Sequence, residues 1–198
     1  MSSENIETRT RILGATLELL EAGQGSAVRM TDIAKRAGIS RQAVYLHFAT
    51  RAELLIEATF YLDEIKGADE RLAASRAART GVERLAAFVD AWGNYIPEIY
   101  GPGKALLAMK DTDEAAAAAW SQRMRDMREG CEAAINALAK DKTLSPEYAP
   151  EHATDILWTM LSVRNWEQMT IECGWSQQKY IKTLKALTKR TLVVAAVS

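Results

Sequence analysis

Between Thr31 and Arg51 the chain gathers side chains able to grip a polyanion and read base edges: Ser40, Arg41, Gln42, Ala43, Tyr45 and His47. A guanidinium pairs bidentately with guanine and a carboxamide with adenine, so Arg41 and Gln42 are the candidate base readers. Ser40, Tyr45 and His47 suit phosphate oxygens, as does Arg51 at the positive end of the helix that follows. Composition agrees locally. Residues 29–51 hold five basic side chains (Arg29, Lys35, Arg36, Arg41, Arg51) against Asp32, a charge of +4. The whole chain, with 25 basic and 26 acidic residues, carries −1, which leaves −5 on the remainder. Net charge alone argues against a nucleic-acid partner; its distribution argues for one.

These residues need a rigid mount, and Thr31 to Phe48 reads as a helix-turn-helix. Ala34 is small where two helices approach, Gly38 can take the positive φ of the turn, and Ile33, Ala37, Ile39, Val44 and Phe48 form the buried side. Ser40 caps the second helix. A helix over about Asn5–Ala22 precedes, with Ile6, Leu13, Leu17 and Leu20 on one face and Gly23 as its C-cap. Thr50-Arg51-Ala52-Glu53 is a capping box in which the Glu53 carboxylate returns to the Thr50 amide, so a long helix starts there, its continuation past Ile65 left open. Further helices are expected over Val82–Ile99, a short piece to Met109 after a break at Pro97–Gly103, and Asp113–Ala139. Two more are expected over Glu151–Cys173 and Ser176–Val197. All four prolines lie between Pro97 and Pro150, and Leu192-Val193-Val194, the one candidate strand, ends a helical pattern. The fold class is therefore all-α, with about nine helices: a helix-turn-helix unit over residues 1–50 and a larger helical bundle over 51–198.

From Ile6 to Leu55 the chain resembles the TetR family of one-component transcriptional regulators. The resemblance rests on Asp32-Ile33-Ala34, Ala37-Gly38-Ile39-Ser40, Tyr45-x-His47-Phe48 and Arg51-x-Glu53-Leu54-Leu55. It implies a helical ligand-binding and dimerisation domain after the reading head. Family members usually carry Thr or Ser at the two positions before Met30, where a hydroxyl reaches phosphate; here stand Val28 and Arg29, so Arg29 or Thr31 would have to substitute.

The rest of the chain is aromatic at helical spacing. Trp92, Tyr95 and Ile99, Met109, Trp120, Met124 and Met127, Trp158 and Trp166 form a candidate effector set. Such residues line pockets for apolar or planar ligands and equally fill cores. The acids Glu98, Asp126, Glu129 and Glu167 would favour a cationic ligand or lie on a solvated face. Tyr180, Leu184, Leu187 and Thr191, with Ile156, Met160 and Val163, have the spacing of a four-helix dimer interface or of intrachain packing. One short recognition helix reads few bases, so a homodimer on two-fold operator DNA is expected.

Other chemistries lack their motifs. Gly101-Pro102-Gly103-Lys104 lacks the spacing of a phosphate loop, and Asp111-Thr112-Asp113-Glu114 is explained by helix capping and the dipole. His47 and His152 are too far apart in sequence to suggest a metal pair, and Cys131 and Cys173 read as small buried hydrophobes in a reducing compartment. No cofactor, metal or enzymatic activity is expected. No apolar run is long enough to span a membrane and no signal peptide is evident, so a cytoplasmic location is expected. The leading expectation is a repressor released from a palindromic operator by a small apolar or aromatic effector. Use of the same helix-turn-helix to contact a partner protein remains open, and an α-helical enzyme has only the possible pocket in its favour.

Overall fold

The computed structural model describes residues 3–23 and 28–194, which are helical apart from turns and one isolated bridge. Helices run over Ser3–Ala22 (α1), Met30–Ala37 (α2), Arg41–His47 (α3), Arg51–Ile65 (α4), Ala68–Arg76 (α5), Gly81–Met109 (α6) and Glu114–Lys140 (α7). Pro150–Met160 (α8), Val163–Glu167 (α9) and Gln177–Leu192 (α10) follow, with a π-helical turn at Gln168–Glu172 after α9. The chain forms two compact units: Met1–Lys66 with Ile99–Met124, and Gly67–Glu98 with Arg125–Ser198. The division expected after residue 50 is therefore not a single cut. Leu54, Leu55, Ala58 and Leu62 of α4, and Ala105, Leu106, Met109, Ala116 and Ala119, join the same hydrophobic cluster as α1–α3.

In the first unit α1 presents Ile12, Leu13, Leu17 and Leu20 to that core. Ile6, expected on the buried face, is 54% exposed; residues 4–7 are all exposed, and the packing begins near Arg9, whose guanidinium reaches Glu57 and lies over the Phe48 ring. α2 buries Ile33, Ala34 and Ala37. Gly38 ends it at φ 69°, the left-handed conformation that the turn requires and that glycine adopts without a Cβ penalty. Ser40 Oγ accepts from the Ala43 amide at 3.1 Å and starts α3. At Thr50 the hydroxyl accepts from the Glu53 amide, but the Glu53 carboxylate accepts from the Ala49 amide, one residue earlier than the box predicts.

The second unit departs further from expectation. α6 runs unbroken through Pro97 and Pro102, where the sequence predicts a break. Proline in a helix strips the carbonyl four residues earlier of its donor, a large part of its roughly 3 kcal/mol cost. For Pro97 that carbonyl is Gly93 O, and Gln177 Nε2 donates to it at 2.7 Å. Trp166 Nε1 in turn donates to Gln177 Oε1 at 2.9 Å, fixing the amide orientation. A second capping box, Thr80 with Glu83, opens α6.

The helix expected over Glu151–Cys173 is interrupted at Leu161-Ser162. Trp92 Nε1 takes the Leu161 carbonyl at 2.9 Å, and Ser162 Oγ caps α9 by accepting from the Asn165 amide. α5 has no counterpart in the sequence reading. α10 starts near the expected point, with the Ser176 hydroxyl accepting from the Lys179 amide as its cap, but it stops at Leu192. Val193 is extended and pairs with Leu144, while the Ser145 amide donates to Leu192 O and the Val194 amide to Thr143 O. The remainder of the expected last helix, 195–197, lies outside the described residues.

Candidate nucleic-acid interface

α3 has one buried residue, Val44, with Phe48 closing the same side. At 3.6 residues per turn Gln42 and Leu46 lie within about 40° of each other and face away from Val44. Both are exposed, Leu46 at 83%. Tyr45 and Arg41 flank this crown on one side; Ala43 and His47, on the other, are half-buried. The Arg41 guanidinium lies 5.5 Å from the Tyr45 ring centroid, with Nη2 3.4 Å from the Tyr45 hydroxyl. A recess beside them is lined by Arg29, Met30, Thr31, Arg41, Tyr45 and Arg51. The predicted readers and phosphate contacts thus share one face, and Ser40, whose hydroxyl is used as a cap, is exposed at the head of α3.

Arg51 departs from its expected role. Its Nε donates to the Val28 carbonyl and its Nη1 to Asp113 at 2.8 Å, with the side chain only 22% exposed. Asp113 is the residue before α7, and its Oδ1 also accepts from the Ala115 and Ala116 amides. Burial pushes this carboxyl up, but the Ala116 amide, the Arg51 guanidinium and the Ala115 amide together hold it below the ordinary carboxylate value. Arg51 is a brace between the start of α4 and the start of α7. Arg36 likewise pairs with Glu18 on α1, at the exposed surface. The +4 of residues 29–51 is therefore partly answered within the unit, and Arg29, Lys35 and Arg41 stand exposed on it. Val28 is buried at 4% exposure, so its place in the chain serves packing, whereas Arg29 is exposed.

Leu46 was missed by the sequence reading. The signal was available: four residues after Gln42 and two after Val44, it cannot share the buried stripe of α3.

The candidate effector residues separate. Met109 lies in the core of the first unit, Ile99 and Trp120 pack against that core, and Met124 ends the unit's second stretch. The C-terminal part of α6 and the N-terminal part of α7 thus contribute side chains to the hydrophobic cluster of the first unit. Trp92, Tyr95, Met127, Trp158 and Trp166 belong to the second unit, where Tyr95, Met127 and Trp166 are buried. Trp92 and Tyr95 meet edge to face with centroids 5.9 Å apart. Glu98 is occupied by Arg71, whose guanidinium also lies 5.6 Å from the Tyr95 ring centroid. The cation beside this aromatic and this acid is thus the chain's own.

The candidate dimer residues also divide. Val163, Tyr180 and Leu184 are buried within the chain, because the 180-184-188-192 stripe of α10 faces inward. Burial pushes the Tyr180 phenol upward, and its hydroxyl has no hydrogen-bond partner among the described residues. Leu187 is 37% exposed, and Ile156, Met160 and Thr191 are half-buried. Among the described residues no cluster of His, Cys, Asp and Glu could hold a metal, and no helix is long and apolar enough to cross a membrane.

Residues 12–58 match the sequence model of the family described as bacterial regulatory proteins, tetR family. The TetR match is confined to this head, 47 of the chain's 198 residues. The TetR match takes in α3 entire, and the likeness to SrpR, an HTH-type transcriptional regulator of Pseudomonas putida, is also local: 43% identity over 54 residues, 27% of this chain and 25% of that protein. The chain spans between 25% and 40% of the length of the curated relatives it matches. Beyond the TetR head the likeness is one of fold. A Saccharomonospora viridis protein crystallised in complex with choline aligns with TM-score 0.73 and 18% identity over 96% of this chain and 99% of that one. NalD, the secondary repressor of the MexAB-OprM multidrug efflux pump in Pseudomonas aeruginosa, aligns with TM-score 0.68 and 21% identity over 96% and 98%.

Proposed function

We propose that this protein is a sequence-specific DNA-binding transcriptional repressor that acts as a homodimer in the cytoplasm and leaves its operator when a small molecule binds. The observation that carries the reading is the exposed face of α3: Arg41, Gln42 and Tyr45 stand outward on a helix fixed by the Gly38 turn and the Ser40 cap. Arg41 and Gln42 read bases; Arg29, Thr31, Ser40, Tyr45 and His47 hold phosphates; Ala43 adjoins them at the groove. Arg51 supports this surface from behind. The TetR head and the fold shared with the repressor NalD favour repression over a protein-docking role.

Two copies would place their recognition helices in successive major grooves, roughly 34–36 Å apart. Ile156, Met160, Leu187 and Thr191 are the parts of the expected interface left accessible for that pairing. Trp92 and Trp158, half-buried in the second unit, are the aromatic side chains best placed to meet an effector there. α6 and α7 each have residues in both units, and Asp113, which follows α6, holds Arg51. A rearrangement along either helix would therefore reach the head through the chain itself, and by reciprocity operator DNA would weaken effector binding by the same factor.

The test is selection of binding sites from random DNA, followed by anisotropy titrations across a salt series. A two-fold site bound more tightly than random sequence is expected. Equal binding to all sequences would overturn the operator-reading role.

A further inference from the structure

On the recognition face of α3 one exposed apolar side chain, Leu46, has no part in the function proposed above. We propose that Leu46 is a specificity-determining residue that reads the 5-methyl group of a thymine in each operator half-site. This rests on the DNA-reading role proposed above and deepens it.

Leu46 is the most exposed large hydrophobic side chain among the described residues, at 83%, and it sits on the crown of α3 rather than at a loop tip. Its position is set by Val44 and Phe48, both fully buried, which lock the rotation of the helix about its axis. An isobutyl group can neither pair with a phosphate nor hydrogen-bond a base edge. In the major groove the one apolar feature a base pair offers is the thymine methyl, and this marks T apart from C. Leu46 follows Gln42 by four residues, about 6 Å along the helix axis at 1.5 Å per residue. That spans about two base-pair steps at roughly 3.4 Å each. Gln42 and Leu46 would then read neighbouring positions of one half-site, a hydrogen-bonding reader beside an apolar one. Tyr45 and half-buried His47, which flank this face, give it the phosphate contacts that hold an apolar tip against the groove floor.

The experiment uses the full-length protein and the operator recovered from random selection. Each thymine is replaced in turn by deoxyuridine, which removes the methyl and keeps the pairing edge. Burial of one such carbon is worth about 0.8 kcal/mol, which converts to about fourfold in affinity. The expected result is a loss of about fourfold at one thymine per half-site, and more than tenfold when both symmetric positions carry deoxyuridine. In Leu46→Ala the operator should bind more weakly, the salt dependence should be unchanged because no phosphate contact is lost, and the deoxyuridine effect at that position should vanish. A fully exposed site is expected to tolerate alanine, and an unchanged circular dichroism spectrum checks this. An operator with no deoxyuridine-sensitive thymine, or a sensitivity that persists in Leu46→Ala, would overturn the inference and leave the operator-reading role standing. Recovery of no preferred sequence would overturn both.

Discussion

Replacing Asp113 separates the two jobs its carboxylate performs. The carboxylate accepts from the Ala115 and Ala116 amides at 3.0 and 3.1 Å and from Arg51 Nη1 at 2.8 Å. Losing the cap alone costs about 1 kcal/mol. Losing the charged partner of Arg51 costs more, because Arg51 Nη2 is already buried without a hydrogen-bond partner among the described residues and the guanidinium has little water to fall back on; a hydrogen bond to a charged group is worth about 1.5–3 kcal/mol. Asp113→Ala should therefore destabilise the protein by about 2–4 kcal/mol. Asp113→Asn keeps a capping carbonyl and should lose about 1–2 kcal/mol. Urea denaturation followed by circular dichroism ranks the three proteins by midpoint, with Arg51→Met in both backgrounds completing a double-mutant cycle. A coupling near zero, or both variants within about 0.5 kcal/mol of the parent, would show that this is an ordinary surface pair and that Arg51 is available to DNA after all.

The same carboxyl sets a pH dependence. Because its folded value is depressed, its stabilisation is complete above the unfolded value of about 3.9 and is lost as pH falls through the folded value, so the gap between parent and Asp113→Asn in an acid-unfolding series should close below about pH 4. Gln177→Leu should cost about 1–3 kcal/mol by stripping the Gly93 carbonyl, and Pro97→Ala, which returns an amide to that carbonyl, should recover much of the loss; equal cost in both backgrounds would refute the compensation. Burial pushes the Cys131 thiol up to about 12, whereas Cys173 is exposed, so a thiol reagent at neutral pH should titrate one cysteine in the native protein and the second only in denaturant. Arg41→Ala and Gln42→Ala should each relax operator discrimination by about 1–3 kcal/mol, while Arg29→Ala should weaken all sequences alike and lower the salt slope by about one, as measured by competitive anisotropy.

The reading head was largely legible because its determinants are local. Gly38, Ser40 and Thr50 announce turn and caps within a few residues of where they act, and the alternation of Val44 and Phe48 with polar neighbours gives the face of α3. What escaped depends on partners distant in sequence. Pro97 reads as a break unless Gln177, 80 residues on, is known to cover Gly93 O. Arg51 reads as a phosphate ligand unless Asp113 is known to lie beside it. The break at Leu161-Ser162 reads as continuous helix unless Trp92, 69 residues earlier, is known to take the Leu161 carbonyl. The aromatic set and the 180-184 stripe share another difficulty: a pocket wall, a dimer seam and a packed core use the same side chains at the same period, and only the direction each helix faces separates them.

The first unit's core is completed from two distant stretches of chain, and this governs how its parts can be exchanged. Ala105, Leu106, Met109, Ala116 and Ala119 belong to the same buried apolar cluster as the helices that carry the recognition face. A chimera joined after residue 50, or even after residue 66, would transplant the reading residues without part of the apolar core of their unit, and the recipient would have to supply side chains of matching shape. Swapping operator preference between proteins of this design is therefore better done by changing the crown of α3 alone, where Gln42 and Leu46 support nothing beneath them.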